Sequence, residues 1–275
     1  MRPASRPKAI EAVILDIDGT LLRGKRPIPG IVELHQYLRS HRIPFVVASN
    51  NSTKSPADYQ RKLAAFGVNL EPADILTSGV ATAAFLQREL PKRSDCYVIG
   101  EAALQEAISG AGLVVREDAR GRVAAVVVGG DSGLTYHKLK IATLLLQRGA
   151  LFVGTNPDVV YPTEEGLIPE AGTTLAALQA ATGLQPIVIG KPERHLFDLA
   201  VRHLGSQPST TAVVGDRLET DILGGQHAGL TTILTTTGVD DEVTMVAKGI
   251  RPDWVVHGPA GLIELLERLS SGIRA

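Results

Sequence analysis

Short, nearly unbroken apolar runs recur along the chain, separated by stretches with helical spacing. The runs are Ala12 to Leu15, Phe45 to Ala48, Tyr97 to Ile99, Val123 to Val128, Leu151 to Val153, Ile187 to Ile189, Ala212 to Val214 and Thr232 to Leu234. A strand with one wet face alternates apolar and polar residues, whereas a strand covered on both faces by crossover helices has no reason to alternate. The runs therefore predict a mostly parallel sheet in an α/β fold. Ile31, Leu34 and Leu38 have the spacing of an intervening helix. Ser55 followed by Pro56 predicts an N-cap with proline in the first helical position, ahead of a helix that stops near Gly67.

A chain of 275 residues is long for one domain of about 150 residues, so one large domain or a core with an insert is expected. No repeat, low-complexity segment or long charge run marks a flexible linker, and Gly79 and the stretch Thr182 to Pro186 are the predicted hinges. Lys and Arg number 28 against 29 Asp and Glu, so no global field draws the protein to nucleic acid or to an anionic membrane. Any anion must be held by local groups. A single cysteine, Cys96, forms no intrachain disulfide or zinc cluster and fits a reducing cytosol. Met1 to Lys8 is expected to be a short solvated tail with no apolar signal-peptide run after it, and no run approaches the ~18 residues of a membrane span. A soluble, cytoplasmic protein is expected.

Ligands of open parallel sheets bind beyond the carboxyl ends of the strands, which directs attention to the polar residues that follow each run. Asp16, Asp18, Gly19 and Thr20 follow the first, and Ser49, Asn50 and Asn51 the second. Gly190 and Lys191 follow Ile187 to Ile189; Gly215, Asp216 and later Asp221 follow Ala212 to Val214. Such a set suits attack on a phosphate monoester. Asp16, first beyond its strand, is the candidate nucleophile for an aspartyl-phosphate. Asp18, two positions on along an extended backbone, would protonate the leaving alcohol and later accept a proton from the attacking water. A carboxylate about 4 Å from each negative charge of the phosphate costs ~4 kcal/mol per pair at an effective dielectric near 20, so cations must offset it. Asp16 and Asp216 would supply oxygen ligands for Mg²⁺, while Lys191 and the Ser49 hydroxyl would hold phosphoryl oxygens. Taken singly, each residue has a plainer reading: Asp216 as a helix cap, Ser49 and Asn50 as a turn, Lys191 as a solvated side chain. Complementary groups at four separate strand ends outweigh those readings.

Asp16-Ile17-Asp18-Gly19-Thr20, Ser49, Lys191 and Gly215-Asp216 with Asp221 resemble, in order, the four motifs of the haloacid dehalogenase superfamily. Ser49-Asn50-Asn51-Ser52-Thr53, Gly154-Thr155-Asn156-Pro157-Asp158, Gly190-Lys191-Pro192 and Gly215-Asp216-Arg217 are similar to the capped branch with p-nitrophenyl phosphatases, phosphoglycolate phosphatases and nucleotide monophosphatases. The resemblance runs from Glu11 to about Leu266. It implies a Rossmann-like core, residues 1–79 and 186–275, with an inserted α/β cap, residues 80–185. It also implies Mg²⁺ held by Asp16, the carbonyl of Asp18 and Asp216, with Asp221 in support, and a phosphate contact from Asn50 beside Ser49. A homodimer with cap contacts is compatible with it. Thr155, Asn156 and Asp158 are candidates for a substrate-facing cap loop, though an ordinary Asn-Pro-Asp turn explains them as well. The chain departs from the branch at Pro169-Glu170-Ala171-Gly172, where many members have Pro-Gly.

Gly130-Asp131-Ser132-Gly133 resembles the serine segment of trypsin-like proteases, but the strand and helix alternation is wrong for a double β-barrel, and a surface turn is expected. The leading expectation is a Mg²⁺-dependent phosphatase acting on a small phosphorylated metabolite. The alternative is a non-enzymatic phospho-acceptor or phosphate-binding module on the same core. Sugar phosphates, nucleotides, phosphoglycolate and glycerol phosphate all remain open as substrates.

Overall fold

The first apolar run becomes strand β1 (Ala12–Asp16), in which every residue is buried. The structure is a computed structural model that describes residues 9–163 and 165–271; the expected tail, Met1 to Lys8, lies outside them. β1 pairs in parallel with β4 (Phe45–Ser49) on one side and with β13 (Thr211–Gly215) on the other. β5 (Ile75–Thr77) extends the sheet beyond β4, and β14 (Thr231–Thr235) and β15 (Trp254–Val256) extend it beyond β13. Among the described residues the order is β15-β14-β13-β1-β4-β5. The chain thus builds one half of the sheet outward from β1 and returns to build the other, which puts the switch point between β1 and β13.

Helices α1 (Ile31–Ser40), α7 (Arg194–Leu204), α8 (Leu223–Ala228), α9 (Glu242–Lys248) and α10 (Gly258–Ser270) belong to this unit. α1 buries Ile31, Leu34 and Leu38, the stripe that its sequence predicts. Each such side chain, fully buried, contributes roughly 1.5–3 kcal/mol. α2 (Pro56–Ala64) starts where Ser55-Pro56 predicts. Its cap is reciprocal: the Asp58 N–H donates to Ser55 Oγ (3.2 Å) and the Ser55 N–H to Asp58 Oδ2 (2.9 Å). A short antiparallel pair, β2 (Leu22–Arg23) and β3 (Arg26–Pro27), follows the loop after β1.

A second parallel sheet has the order β12-β9-β8-β6-β7, with β6 (Asp95–Ile99), β7 (Val114–Arg116), β8 (Ala125–Val128), β9 (Leu151–Gly154) and β12 (Ile187–Val188). Helices α3 (Ser78–Glu89), α4 (Ala102–Gly110), α5 (Tyr136–Gln147) and α6 (Ala171–Thr182) accompany it. An exposed antiparallel hairpin, β10 (Val160–Thr163) and β11 (Gly166–Pro169), leads into α6. Val126, Val128, Ile141, Leu145, Phe152 and Leu175 belong to this sheet's own core.

The chain divides into two compact units. One comprises residues up to Ser49, Gln60–Leu76 and the chain from Pro192 onward; the other comprises Asn50–Tyr59 and Thr77–Lys191. The second contains residues 80–185, the segment expected as the inserted cap. It takes in more than residues 80–185, because Ile187 and Val188 pair with Val153 and Gly154 of β9 rather than with the first sheet. The two units divide between Leu76 and Thr77, close to the predicted hinge Gly79, and between Lys191 and Pro192, beyond the predicted stretch Thr182 to Pro186. Gly79 lies inside α3, whose Thr77 cap accepts the Val80 N–H (3.2 Å), and Thr182 ends α6, closed by Gly183 at φ 73°. Both glycines therefore serve helix ends and packing.

Candidate active site

Parallel pairing in register brings strand ends together. Leu15 pairs with Val214 and Asp16 with Ala48, so the ends of β13, β1 and β4 carry Asp216, Asp16 and Ser49 side by side. After Asp16 the backbone bends. The Leu21 and Leu22 N–H groups both donate to the Ile17 carbonyl (2.9 Å each), and Gly19 takes φ 91°. β1 thus stops at Asp16, and the turn rather than strand periodicity places Asp18, which is half-buried and bridges to Leu22.

Among the described residues, Asp16, Asp216 and Asp221 form a group in which one carboxylate oxygen from each lies within 4.8 Å of the others. They are 7%, 1% and 1% exposed. Asp216 Oδ2 accepts the Val239 N–H (2.8 Å), and Asp221 Oδ2 accepts the Arg217 N–H (3.2 Å). The backbone around them leaves no room for side chains: a Cβ at Gly19 or Gly238 would collide with the Asp216 carboxylate, and one at Gly215 with that of Asp221. Three buried carboxylates this close repel by on the order of 3 kcal/mol per pair at an effective dielectric of 20. All-oxygen donors, buried and packed around a tight cradle, fit a hard divalent cation. Asp221 offers its oxygen to this group on the same terms as the other two.

The loop after β14 completes the arrangement, and it was not singled out from sequence. Thr237 Oγ1 donates to the Gly19 carbonyl (2.7 Å), Arg23 donates to the Thr237 carbonyl, and the Asp240 N–H donates to the Asp216 carbonyl (3.0 Å). Asp240, 2% exposed, accepts from the Leu218 N–H (2.8 Å) and from Lys248 Nζ (2.9 Å), which also donates to Glu219 (2.8 Å). Those hydrogen bonds, to Glu219 first and also to Asp240, hold the Lys248 ammonium above its ordinary pKa. The signal available in the sequence was the polar segment Thr235 to Asp241 at one more strand end.

The other predicted residues lie in the cap unit. Lys191 is buried, and the Asn50 amide clamps its main chain: Asn50 Oδ1 accepts the Lys191 N–H (2.8 Å) and Nδ2 donates to the Lys191 carbonyl (2.9 Å). Asn50 Nδ2 also donates to Asp158 Oδ2 (3.1 Å). The Asn50 side chain, expected to touch phosphate, thus spends its amide on holding Lys191 and Asp158. Thr155 and Asn156 do not face outward as a substrate loop would. Both are buried: Thr155 Oγ1 donates to Ser52 Oγ (3.3 Å) and Asn156 Nδ2 to the Asn50 carbonyl (2.9 Å). Asn156 Oδ1 accepts the Asp158 N–H (3.0 Å), the local bond of an Asn-Pro-Asp turn.

Residues 13–114 match the sequence model of the haloacid dehalogenase-like hydrolases, and residues 188–260 match a second model of the same kind. An acid sugar phosphatase of Staphylococcus epidermidis is 38% identical over 247 residues, 90% of this chain and 94% of that one. The chain belongs to the haloacid dehalogenase-like hydrolases. Within them it is a capped phosphatase, a phosphoric monoester hydrolase, and solved structures agree. A p-nitrophenyl phosphatase from Archaeoglobus fulgidus superposes with a TM-score of 0.89 at 32% identity, covering 94% of this chain and 99% of that one. A glycerol phosphate phosphatase from Mycobacterium tuberculosis, crystallised with magnesium, gives 0.86 at 32% identity over 94% and 78% of the two chains. Among this phosphatase's described residues, no helix is long and apolar enough to cross a membrane.

Proposed function

We propose that the protein hydrolyses small phosphomonoesters through an aspartyl-phosphate on Asp16, with Mg²⁺ held by Asp16, Asp216 and the Asp18 carbonyl and supported by Asp221. The observation that carries this reading is the buried carboxylate group at the ends of β1 and β13. When bound, the divalent cation supplies positive charge that offsets repulsion between a carboxylate and the phosphate dianion. Asp16 donates an electron pair from a carboxylate oxygen to phosphorus while the bond to the leaving alcohol breaks. Asp18 gives that alcohol its proton and then takes one from the water that cleaves the aspartyl-phosphate, regenerating Asp16 and releasing inorganic phosphate. Ser49 and Lys191 hold the phosphoryl oxygens as charge builds, and Asn50 fixes Lys191. Relatives named for sugar, nitrophenyl and glycerol phosphates support a small phosphorylated metabolite as the substrate class.

The test is steady release of inorganic phosphate from p-nitrophenyl phosphate with Mg²⁺ present. Chelation and Asp16→Asn should each abolish it, and Asp18→Asn should lower kcat by about a thousandfold or more while metal affinity persists. Stoichiometric phosphorylation of Asp16 without turnover would instead mark a phospho-acceptor, and an Asp18→Asn variant as active as the wild type would remove Asp18 from the mechanism.

A further inference from the structure

Asp216 precedes, and Asp221 lies within, a π-helical turn, Leu218–Ile222. In that turn the Ile222 N–H donates to the Arg217 carbonyl (3.3 Å) and the Leu223 N–H to the Leu218 carbonyl. The first N–H groups of any helical turn need acceptors from outside it, and Arg217, at the N-cap, supplies no side-chain cap. The cap for the Leu218 N–H therefore has to come from elsewhere in the chain.

It comes from Asp240, in the same unit. Asp240 Oδ2 accepts the Leu218 N–H (2.8 Å) while its own N–H donates to the Asp216 carbonyl (3.0 Å), so one buried residue holds the chain on both sides of Arg217. Asp240 Oδ1 accepts from Lys248 Nζ (2.9 Å). Helix α9 makes that contact: the reciprocal cap of Asp241 and Thr244 starts it, and Lys248 ends it and returns to Asp240. Leu218, Ile222 and Leu234 form a buried cluster with Met245 and Ile250 packed against it, so α9 and the π-helical turn share an apolar contact as well.

We infer that Asp240 is a positioning residue of the metal group: by fixing the main chain at Asp216 and at Leu218 it sets the spacing of the Asp216 and Asp221 carboxylates, and so tunes the group toward Mg²⁺ relative to the larger Ca²⁺. The inference rests on the metal site of the reading above. Asp240 is not a member of the carboxylate group, and both of its oxygens are already engaged. It acts through the segments that carry the ligands, and loss of such outer partners typically lowers metal affinity by about 10–100-fold. Mg²⁺ demands nearly ideal octahedral geometry at short distances, whereas Ca²⁺ tolerates looser placement, so a firmly held cradle discriminates between them and a slack one does not.

Calorimetric titration of EDTA-stripped protein with Mg²⁺ and, separately, with Ca²⁺ tests this without recourse to turnover. Asp240→Ala, which leaves Lys248 paired with Glu219, should raise the Mg²⁺ Kd about tenfold and the Ca²⁺ Kd by about threefold or less. Asp240→Asn keeps an acceptor for the Leu218 N–H and should raise the Mg²⁺ Kd by only about threefold. Lys248→Met separates positioning from charge: loss of a nearby positive charge alone would tighten the binding of a cation, whereas a loosened Asp240 should weaken it about threefold. If the alanine variant does not fold, the asparagine and methionine variants carry the test. Variants that unfold at lower urea concentration yet keep both dissociation constants within about twofold of the wild type overturn the inference alone, as does tighter Mg²⁺ binding by Lys248→Met. A wild type that binds neither ion overturns the metal reading and the inference with it.

Discussion

A buried carboxylate persists only where a partner or a cation offsets its charge, so Asp16 beside Asp216 and Asp221 carries chemical meaning that a surface aspartate would not. The same residue type takes opposite character in different surroundings: Glu101 is held low by Ser132, and Glu170 is pushed up by burial. Cys96 illustrates the point for a thiol. Burial first, and then the Asp95 charge, pushes it up to about 11. At pH 8 roughly one thiol in a thousand would be ionised, and the sulfur is enclosed. Iodoacetamide should therefore leave native protein unlabelled over an hour and modify one cysteine per chain in denaturant, as read by intact mass; rapid native labelling would show that β6 is not packed as described. The motif residues Asp16, Ser49, Lys191 and Asp216 were legible one by one because each follows an apolar run. The work of Asn50 and Asn156 was not, because an amide's partner lies as far as 141 residues away in sequence.

At the scale of elements, each apolar run recognised in the sequence became a strand of one sheet or the other, for continuous burial leaves such a run few alternatives. The short elements β2, β3, β5, β7, β10, β11 and β15 had no such run to announce them. Which sheet a strand joins was also beyond the pattern, as β12 demonstrates: Ile187 and Val188 suit either sheet, and pairing with β9 decides. The loop after β14 is steadied by Lys248, which neutralises the buried Asp240 carboxylate whose main chain holds Asp216. Lys248→Met should destabilise the protein by about 1–3 kcal/mol in urea unfolding, less than a fully enclosed pair because the ammonium is partly exposed, and lower kcat through a loosened Asp216. Lys248→Arg should recover most of both; an unchanged unfolding midpoint in the methionine variant would mean that the Asp240 charge is met elsewhere.

For the whole molecule, the carboxylate group links metal binding to stability. Without a cation its members repel, and with one at about 100 times its dissociation constant the native state gains ~2.7 kcal/mol, or roughly 5–10 °C in Tm for a unit of this size. Calorimetry with and without Mg²⁺ should show that rise, and EDTA should reverse it. Asp216→Asn should have the opposite pair of effects, a higher metal-free Tm and no Mg²⁺ increment, since it removes both a repulsive charge and a ligand. Hydrogen exchange should slow in β1 and β13 on adding Mg²⁺ and stay unchanged in the cap sheet; equal slowing in both would place the ion elsewhere. The sequence by itself determined the α/β class, the phosphatase family and the strand-end residues, because burial and motif spacing are local properties that a linear chain records. Tertiary structure alone decided that the Asp221 carboxylate comes as close to the group as those of Asp16 and Asp216 do, that Lys191 is held by Asn50, and that Glu170 faces a cleft, because those facts depend on which distant segments pack together.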